Sequence, residues 1–242
     1  MALFHLAEIF ASLQGEGPYS GVPFVFVRLS GCNLACEYCD TRWATFHQAE
    51  GKVYLPRDEI RTLPNPVSST MMLETLSVFR APWLCFTGGE PMLQSESVTE
   101  ILPGMDRFRI LMETNGTLFE RIREELIDRV DAWSVDYKLP SVTGTDVRNE
   151  NRQFLQKLEK GKQVIIKAVY SDSTRHEELN ELFRFASDYY RFHRDMELVL
   201  QPMTIGNNVK LGKHYPRLFE KMSEADFPVR ILPQLHRILN IP

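Results

Sequence analysis

Short apolar runs alternate along the chain with longer stretches whose apolar residues recur at every third and fourth position, and this alternation narrows the fold more than any other feature. Residues 24–29 (FVFVRL) are rich in Phe and Val and read as a strand. Residues 83–86, 109–112, 132–135, 164–169, 197–200 and 229–232 read the same way. Between them, residues 69–79, 95–102, 118–129, 151–160, 177–190 and 213–223 carry helical spacing. Strands that alternate with helices build βαβ units, and right-handed crossovers join these into a parallel sheet. Six to seven units in 242 residues fit an α/β fold of mostly parallel strands, a full or incomplete β/α barrel rather than an open sheet, in one domain over residues 1–242. Hydrophobic residues make up 43% of the chain, which is enough to bury such a core. No repeat, low-complexity segment or linker divides it.

In such folds the working groups lie just past the carboxyl ends of the strands. Ser30-Gly31-Cys32 follows the first run and Thr87-Gly88-Gly89-Glu90-Pro91 the second. Glu113-Thr114-Asn115-Gly116 follows the third, Asp136-Tyr137-Lys138 the fourth and Gln201-Pro202 the sixth. Five polar or glycine-rich turns at one end of a sheet predict one shared site. Residues 46–66 hold Gly51, Pro56, Pro64 and Pro66, and predict an insertion with at most one short helix.

Sulfur is unevenly placed. Of four cysteines, Cys32, Cys36 and Cys39 fall within eight residues. No apolar run approaches the ~18–20 residues of a membrane helix. Residues 1–10 include His5 and Glu8 and lack a basic start, so no secretory signal is expected. A net charge of −4 leaves no basic footprint for nucleic acid or for a membrane surface. The expected setting is cytoplasmic, where clustered thiols serve as ligands for soft metals rather than as disulfides. Three cysteines are one short of the four that fill a [4Fe–4S] cube, which leaves one iron open to another ligand. A Cys3His zinc site completed by His47 is the other reading. Cys85, inside the apolar run Trp83-Leu84-Cys85-Phe86, reads as a core thiol.

The spacing Cys32-x3-Cys36-x-Tyr38-Cys39, together with Gly88-Gly89-Glu90-Pro91, resembles the radical S-adenosylmethionine (SAM) superfamily. The resemblance implies a barrel of that type and a cluster whose open iron is chelated by SAM. It also implies reductive cleavage of SAM to a 5′-deoxyadenosyl radical, which takes a hydrogen atom from substrate. On the same basis the SAM site is expected at Tyr38, Gly88, Gly89, Glu90, Ser134, Asp136, Lys138 and Gln201, with Asn115 a further polar neighbour.

Both ends of the chain are similar to the 7-carboxy-7-deazaguanine synthase family. Residues 8–21 (EIFASLQGEGPYSG), Arg28-Leu29-Ser30-Gly31-Cys32-Asn33-Leu34, Cys39-Asp40-Thr41 and the tail Leu232-Pro233-Gln234-Leu235-His236-Arg237 through Pro242 carry the likeness. It implies ring contraction of 6-carboxy-5,6,7,8-tetrahydropterin, with loss of ammonia, in queuosine and deazapurine biosynthesis. Substrate contacts would fall on Leu13, Gln14, Gly15, Glu16, Arg28, Thr87, His236 and Pro242. An amino-terminal loop would bind substrate, and the tail would close the site. Magnesium would be held at Thr41 and completed by substrate oxygens. The family also implies a flavodoxin or ferredoxin donor and a homodimer. Arg28 has a reading of its own: a charge in an apolar strand needs a carboxylate, either an internal Asp or Glu or one brought by substrate. Asp136-Tyr137-Lys138 departs from the Ser-Pro-Lys turn of many members. A glycyl-radical activase would share the cysteines and the Gly-Gly-Glu-Pro turn without needing Gln14, Glu16 or Arg28. A non-catalytic zinc module is the third reading.

Overall fold

The computed structural model describes residues 2–158, 161–204 and 209–242. Ten of its strands form one sheet. A short pair, β1 (Leu3–Phe4) and β6 (Val67–Ser68), lies apart from it. In chain order the sheet contains β2 (Leu6–Leu13), β3 (Pro23–Leu29), β4 (Glu50–Tyr54), β5 (Ile60–Pro64), β7 (Trp83–Gly88), β8 (Arg109–Thr114), β9 (Ala132–Asp136), β10 (Gln163–Tyr170), β11 (Met196–Pro202) and β12 (Val229–Ile231). The spatial order is β12-β11-β10-β9-β8-β7-β3-β2-β4-β5. From β12 to β3 every neighbouring pair is parallel. These parallel strands are the ones the apolar runs predict.

The helices are α1 (Ser69–Leu76), α2 (Ser95–Ile101), α3 (Glu124–Arg129), α4 (Pro140–Thr143), α5 (Arg148–Lys157), α6 (His176–Phe192), α7 (Tyr215–Glu224) and α8 (Leu235–Leu239). All but the short α4 and α8 follow the predicted helical stretches; those two fall in none of them. The stretch 118–129 differs in detail: it divides into a 3-10 turn (Phe119–Arg121) and α3. Of the stretch 151–160, Glu159 and Lys160 lie outside the described residues.

The two-residue pleat separates the sheet's faces. Val25, Val27, Leu84, Phe86, Ile110, Met112, Trp133, Ile166 and Leu198 point outward and pack with Phe154 of α5 and Leu179 and Leu182 of α6 in the large core. The other face carries a smaller apolar floor of Phe24, Phe26, Trp83, Cys85, Leu111, Ala132, Ile165 and Val199. Cys85 is fully buried there, as expected of a core thiol. One pleat further along the same strands, the floor gives way to Arg28, Thr87, Glu113, Ser134, Lys167 and Gln201, with Asp136 one pleat beyond Ser134. Apolar depth and polar rim thus come from a single alternation.

Besides the short pair β1 and β6, the strands β2, β4 and β5 were not legible in the sequence. Residues 46–66 were expected to form at most one short helix, and instead supply the antiparallel hairpin β4–β5. Few of its residues are buried: Gly51 and Val53 on β4, Leu63 on β5. The apolar signal is therefore too thin to read. Gly51 is small of necessity, since a Cβ there would lie 2.7 Å from Leu6 Cγ. Of the residues 8–21 that carry the family likeness, the first six belong to the strand β2, which pairs antiparallel with β3 and parallel with β4. Only residues 14–22 form a loop, closed by Gln14 N–H to Val22 O at 2.8 Å.

That loop crosses the concave face. The Tyr19 ring packs 4.7 Å from Trp83, and its hydroxyl bonds to Gln163 at the start of β10. One side chain thus reaches both β7 and β10, which the sheet's curvature brings together. Tyr19→Ala should lower stability by about 2 kcal/mol, since it removes a half-buried aromatic and opens a cavity over the floor. A denaturant midpoint unchanged from wild type would contradict this plug role.

Candidate active site

A cavity of about 510 Å³ opens at the carboxyl ends of the parallel strands. Cys32, Cys36, Cys39, Tyr38 and Thr41 line one side, and Gly88, Gly89, Ser134, Asp136, Lys138 and Gln201 line the strand ends. Leu13, Gln14, Gly15, Glu16, Arg28, Thr87, His236 and Pro242 complete it. Of the residues expected at the site, Glu90 alone does not reach the wall. Glu113, Lys167, Gln234 and Asp40 reach it without having been singled out.

The cysteine loop leaves β3 through Ser30 and Gly31. Leu34 N–H donates to Cys32 Sγ at 3.4 Å, and Cys39 N–H donates to the Cys36 carbonyl at 3.2 Å. Burial raises the Cys32 and Cys36 thiols above their ordinary value, and Lys138 draws Cys36 partly back. Thr41 Oγ1 lies 3.9 Å from Cys39 Sγ. Among the described residues no three His, Cys, Asp or Glu side chains converge on a single ion. A cube asks for less convergence, because each cysteine takes a different iron. His47 is off the cavity wall. Its ring lies 4.2 Å from that of His5, tilted by 43°, behind Gly31, so it is not placed as a fourth ligand.

The glycine pair is set by close packing. A Cβ on Gly88 would stand 2.1 Å from the Leu29 carbonyl oxygen, and one on Gly89 would stand 2.1 Å from that of Gly31. Gly88 also has φ +132°, a conformation that side chains resist. These contacts bind the end of β7 to the start of the cysteine loop, with Gly89 N–H donating to Leu29 O at 3.0 Å.

Beside this cradle lies a charge cluster. The Lys138 ammonium sits 2.9 Å from Asp136 Oδ2 and 3.1 Å from the Tyr38 hydroxyl. Lys167 lies 3.1 Å from Asp136 Oδ1 and pairs with Glu16. Burial pushes the Glu16 and Asp136 carboxyls up, but their lysine partners more than offset it, so both end below the usual range. Burial holds the Glu113 carboxyl above its usual range, against the pull of Lys167, while it accepts from Gln14 Nε2 at 3.0 Å and Thr87 Oγ1 at 2.8 Å. Lys167 could have been found by the argument used for Arg28, since it interrupts an apolar run (VIIKAV).

Arg28 donates from Nε to Glu8 at 2.8 Å and lies over the Phe10 ring. The internal carboxylate of the two readings is therefore present, and Arg28 also lines the cavity. The tail crosses the mouth. Leu235 N–H donates to Gly15 O at 2.7 Å, Gln234 Nε2 to Glu16 Oε1 at 2.7 Å, and Ser12 Oγ to Pro242 O at 2.9 Å. His236 packs so close that a Cβ on Gly15 would meet its Nδ1 at 2.1 Å.

Glu90 turns behind the wall. Oε1 accepts from Met92 N–H at 2.9 Å and Thr114 Oγ1 at 2.7 Å, and Oε2 accepts from Asn115 N–H at 2.7 Å. It ties the turn after β7 to the turn after β8. Burial pushes its carboxyl up to about 7, against the pull of those bonds. The folded chain thus keeps a proton that the unfolded chain releases from about pH 4.5 upward. Glu90's contribution to stability is present below about pH 4.5, falls as pH rises to about 7, and levels off beyond. Glu90→Gln should flatten that fall in denaturant titrations between about pH 5 and about pH 8. An unchanged slope would assign the pH dependence elsewhere.

With this geometry in place, the chain can be compared with known proteins. The profile of the Radical SAM superfamily matches residues 26–169. A 7-carboxy-7-deazaguanine synthase of Geobacter sulfurreducens is 32% identical over 252 residues, covering 97% of this chain and 96% of that one. That of Thermoplasma acidophilum is 31% identical, with the same coverage. The crystal structure of QueE from Escherichia coli superposes with a TM-score of 0.61 at 22% identity, covering 95% of this chain and 93% of its own, which supports the incomplete-barrel fold. The chain therefore belongs to the radical SAM superfamily and, within it, to the 7-carboxy-7-deazaguanine synthase family.

Proposed function

We propose that the chain converts 6-carboxy-5,6,7,8-tetrahydropterin to 7-carboxy-7-deazaguanine with release of ammonia. One observation carries the reading: the three-cysteine loop and the Gly88-Gly89 cradle face one cavity with Gln14, Glu16, Arg28 and Thr87. Membership of the superfamily implies a [4Fe–4S] cluster and SAM. The residues fit both. Three thiols share a wall, backbone at Gly88 and Gly89 is bare, and Gln201 Oε1 is buried there without a partner among the described residues. When bound, cluster and SAM supply one-electron chemistry that removes a hydrogen atom from substrate.

Within this proposal Cys32, Cys36 and Cys39 hold the cluster. Tyr38, Gly88, Gly89, Ser134, Asp136, Lys138 and Gln201 bind SAM, with Asp136 matching its ammonium and Lys138 its carboxylate. Glu90 acts by fixing the turn rather than by contact. Gln14 and Glu16 offer an amide and a carboxylate to the donor and acceptor edge of a pterin. Arg28 meets the substrate carboxylate while Glu8 fixes its guanidinium. Thr41 supports a magnesium ion whose remaining ligands come from substrate and water. Leu13, Gly15, Thr87, His236 and Pro242 enclose the substrate and exclude water. The whole chain acts as one domain whose tail closes the mouth. A flavodoxin or ferredoxin supplies the electron, and a homodimer is the expected assembly. Among the described residues no helix is long and apolar enough to cross a membrane.

The direct test is anaerobic turnover of the carboxytetrahydropterin with SAM, reductant and magnesium. A reconstituted protein that forms no deazaguanine would overturn the proposal. Cys36→Ala should leave the fold cooperative but abolish cluster assembly; a brown, active variant would contradict its role as ligand. Arg28→Ala should weaken pterin binding at least tenfold, since it deletes a charge-assisted contact worth roughly 1.5–3 kcal/mol, while SAM affinity changes much less. Equal losses in titrations of both ligands would remove Arg28 from the substrate site.

A further inference from the structure

The turn after β8 holds one buried side chain whose second hydrogen points at the cysteine loop. Asn115 is 7% exposed. Its Oδ1 accepts from Thr117 N–H at 3.1 Å and from Thr117 Oγ1 at 2.6 Å. A backbone N–H can only donate, so this contact fixes which end of the amide is oxygen. Nδ2 therefore faces the other way. One partner there is Asn33 Oδ1 at 2.9 Å, and the other is Cys32 Sγ at 3.9 Å. The backbone of Asn115 is held on both sides. Its N–H donates to Glu90 Oε2, and its carbonyl accepts from Asn151 Nδ2 at 2.7 Å. Asn151 is itself fully buried.

From this geometry we infer that Asn115 is a positioning residue for the cluster. Its Nδ2–H donates to the Cys32 sulfur and raises the reduction potential of the iron–sulfur centre. An N–H directed at a ligating sulfur draws off negative charge, and the reduced centre carries more of that charge than the oxidised one. Donation thus stabilises the reduced state. The Leu34 N–H approaches the same sulfur at 3.4 Å, but it belongs to the cysteine loop itself. Asn115 comes from the turn after β8, 83 residues away. It sets the height of the loop against the sheet and the polarity at Cys32 together. Glu90, turned away from the cavity, acts through it by holding the Asn115 backbone. The inference rests on the reading of Cys32, Cys36 and Cys39 as the cluster ligands.

The test is an EPR-monitored redox titration of the reconstituted holoprotein, with iron and sulfide counted in every sample. Asn115→Ala should make one-electron reduction about tenfold less favourable, a fall of about 59 mV for one electron. Asn115→Asp keeps the shape and the acceptor for Thr117 but removes the donor, and should lower the potential at least as far. It also serves if the alanine variant fails to fold. Asn33→Ala deletes the neighbouring contact while leaving Nδ2 on the sulfur, and should shift the potential by less than about twofold in the same equilibrium. Equal shifts in Asn33→Ala and Asn115→Ala would place the effect in loop order and overturn the inference. A potential unmoved in both Asn115 variants would overturn it too, while leaving the cluster reading intact. A wild-type protein that assembles no cluster would overturn that reading, and this inference with it.

Discussion

The ammonium of Lys167 stands on the concave face of the sheet between Glu16 of the front loop and Asp136 at the end of β9. Glu113 lies close enough to add to the field that raises the lysine's affinity for its proton. Three carboxylates buried near one another would repel and would pay heavily for lost hydration if no cation stood among them. With Lys167 in place, the loop that crosses the barrel has a polar anchor as well as the apolar one at Tyr19. The position of Glu16 in turn fixes Gln234 and, through it, the tail. Loop, tail and strand ends therefore depend on one buried charge.

The layering beneath it explains why that charge is tolerable. On four of the parallel strands the concave face passes from apolar to polar within two residues: Cys85 to Thr87, Leu111 to Glu113, Ile165 to Lys167, Val199 to Gln201. The floor excludes water and lets the rim's electrostatic interactions act at short range in a medium less polar than water. The rim is not a uniform patch. Cations and carboxylates alternate at Lys138, Asp136, Lys167 and Glu16, and Glu113 adds the neutral donors Gln14 and Thr87 to the more distant pull of Lys167. Such a cavity suits a ligand with both donor and acceptor edges, such as the pterin of the proposed reaction.

The parallel strands and their helices were legible because each announces itself through local periodicity. β2 and the β4–β5 hairpin were not. β2 mixes Glu8, Ser12 and two alanines among its apolar residues, and the hairpin buries few side chains, so neither carries enough signal to outweigh its glycine and proline neighbours. The site was legible where it was contiguous. Three cysteines in eight residues, a Gly-Gly turn after a strand and a polar residue after an apolar run all mark themselves. Glu113 escaped notice because a carboxylate beyond a strand end is ordinary, and nothing local shows that Gln14 and Thr87 hydrogen-bond to it.

Short-range order in the chain encodes the alternation of strand and helix, the end of the sheet where polar turns gather, and the loop with three thiols. Tertiary structure decided the partners. Lys167 meets Glu16 from 151 residues away, and Gln234 meets it from 218. Arg28 found an internal carboxylate in Glu8, and Glu90 turned from the cavity to bind the backbone of Met92 and Asn115. Such choices depend on register, on which face of a strand a side chain leaves, and on how closely two backbones approach. Gly88 and Gly89 record that last condition: the sequence shows two glycines, but only the packed chain shows the Leu29 and Gly31 carbonyls that leave no room for a Cβ.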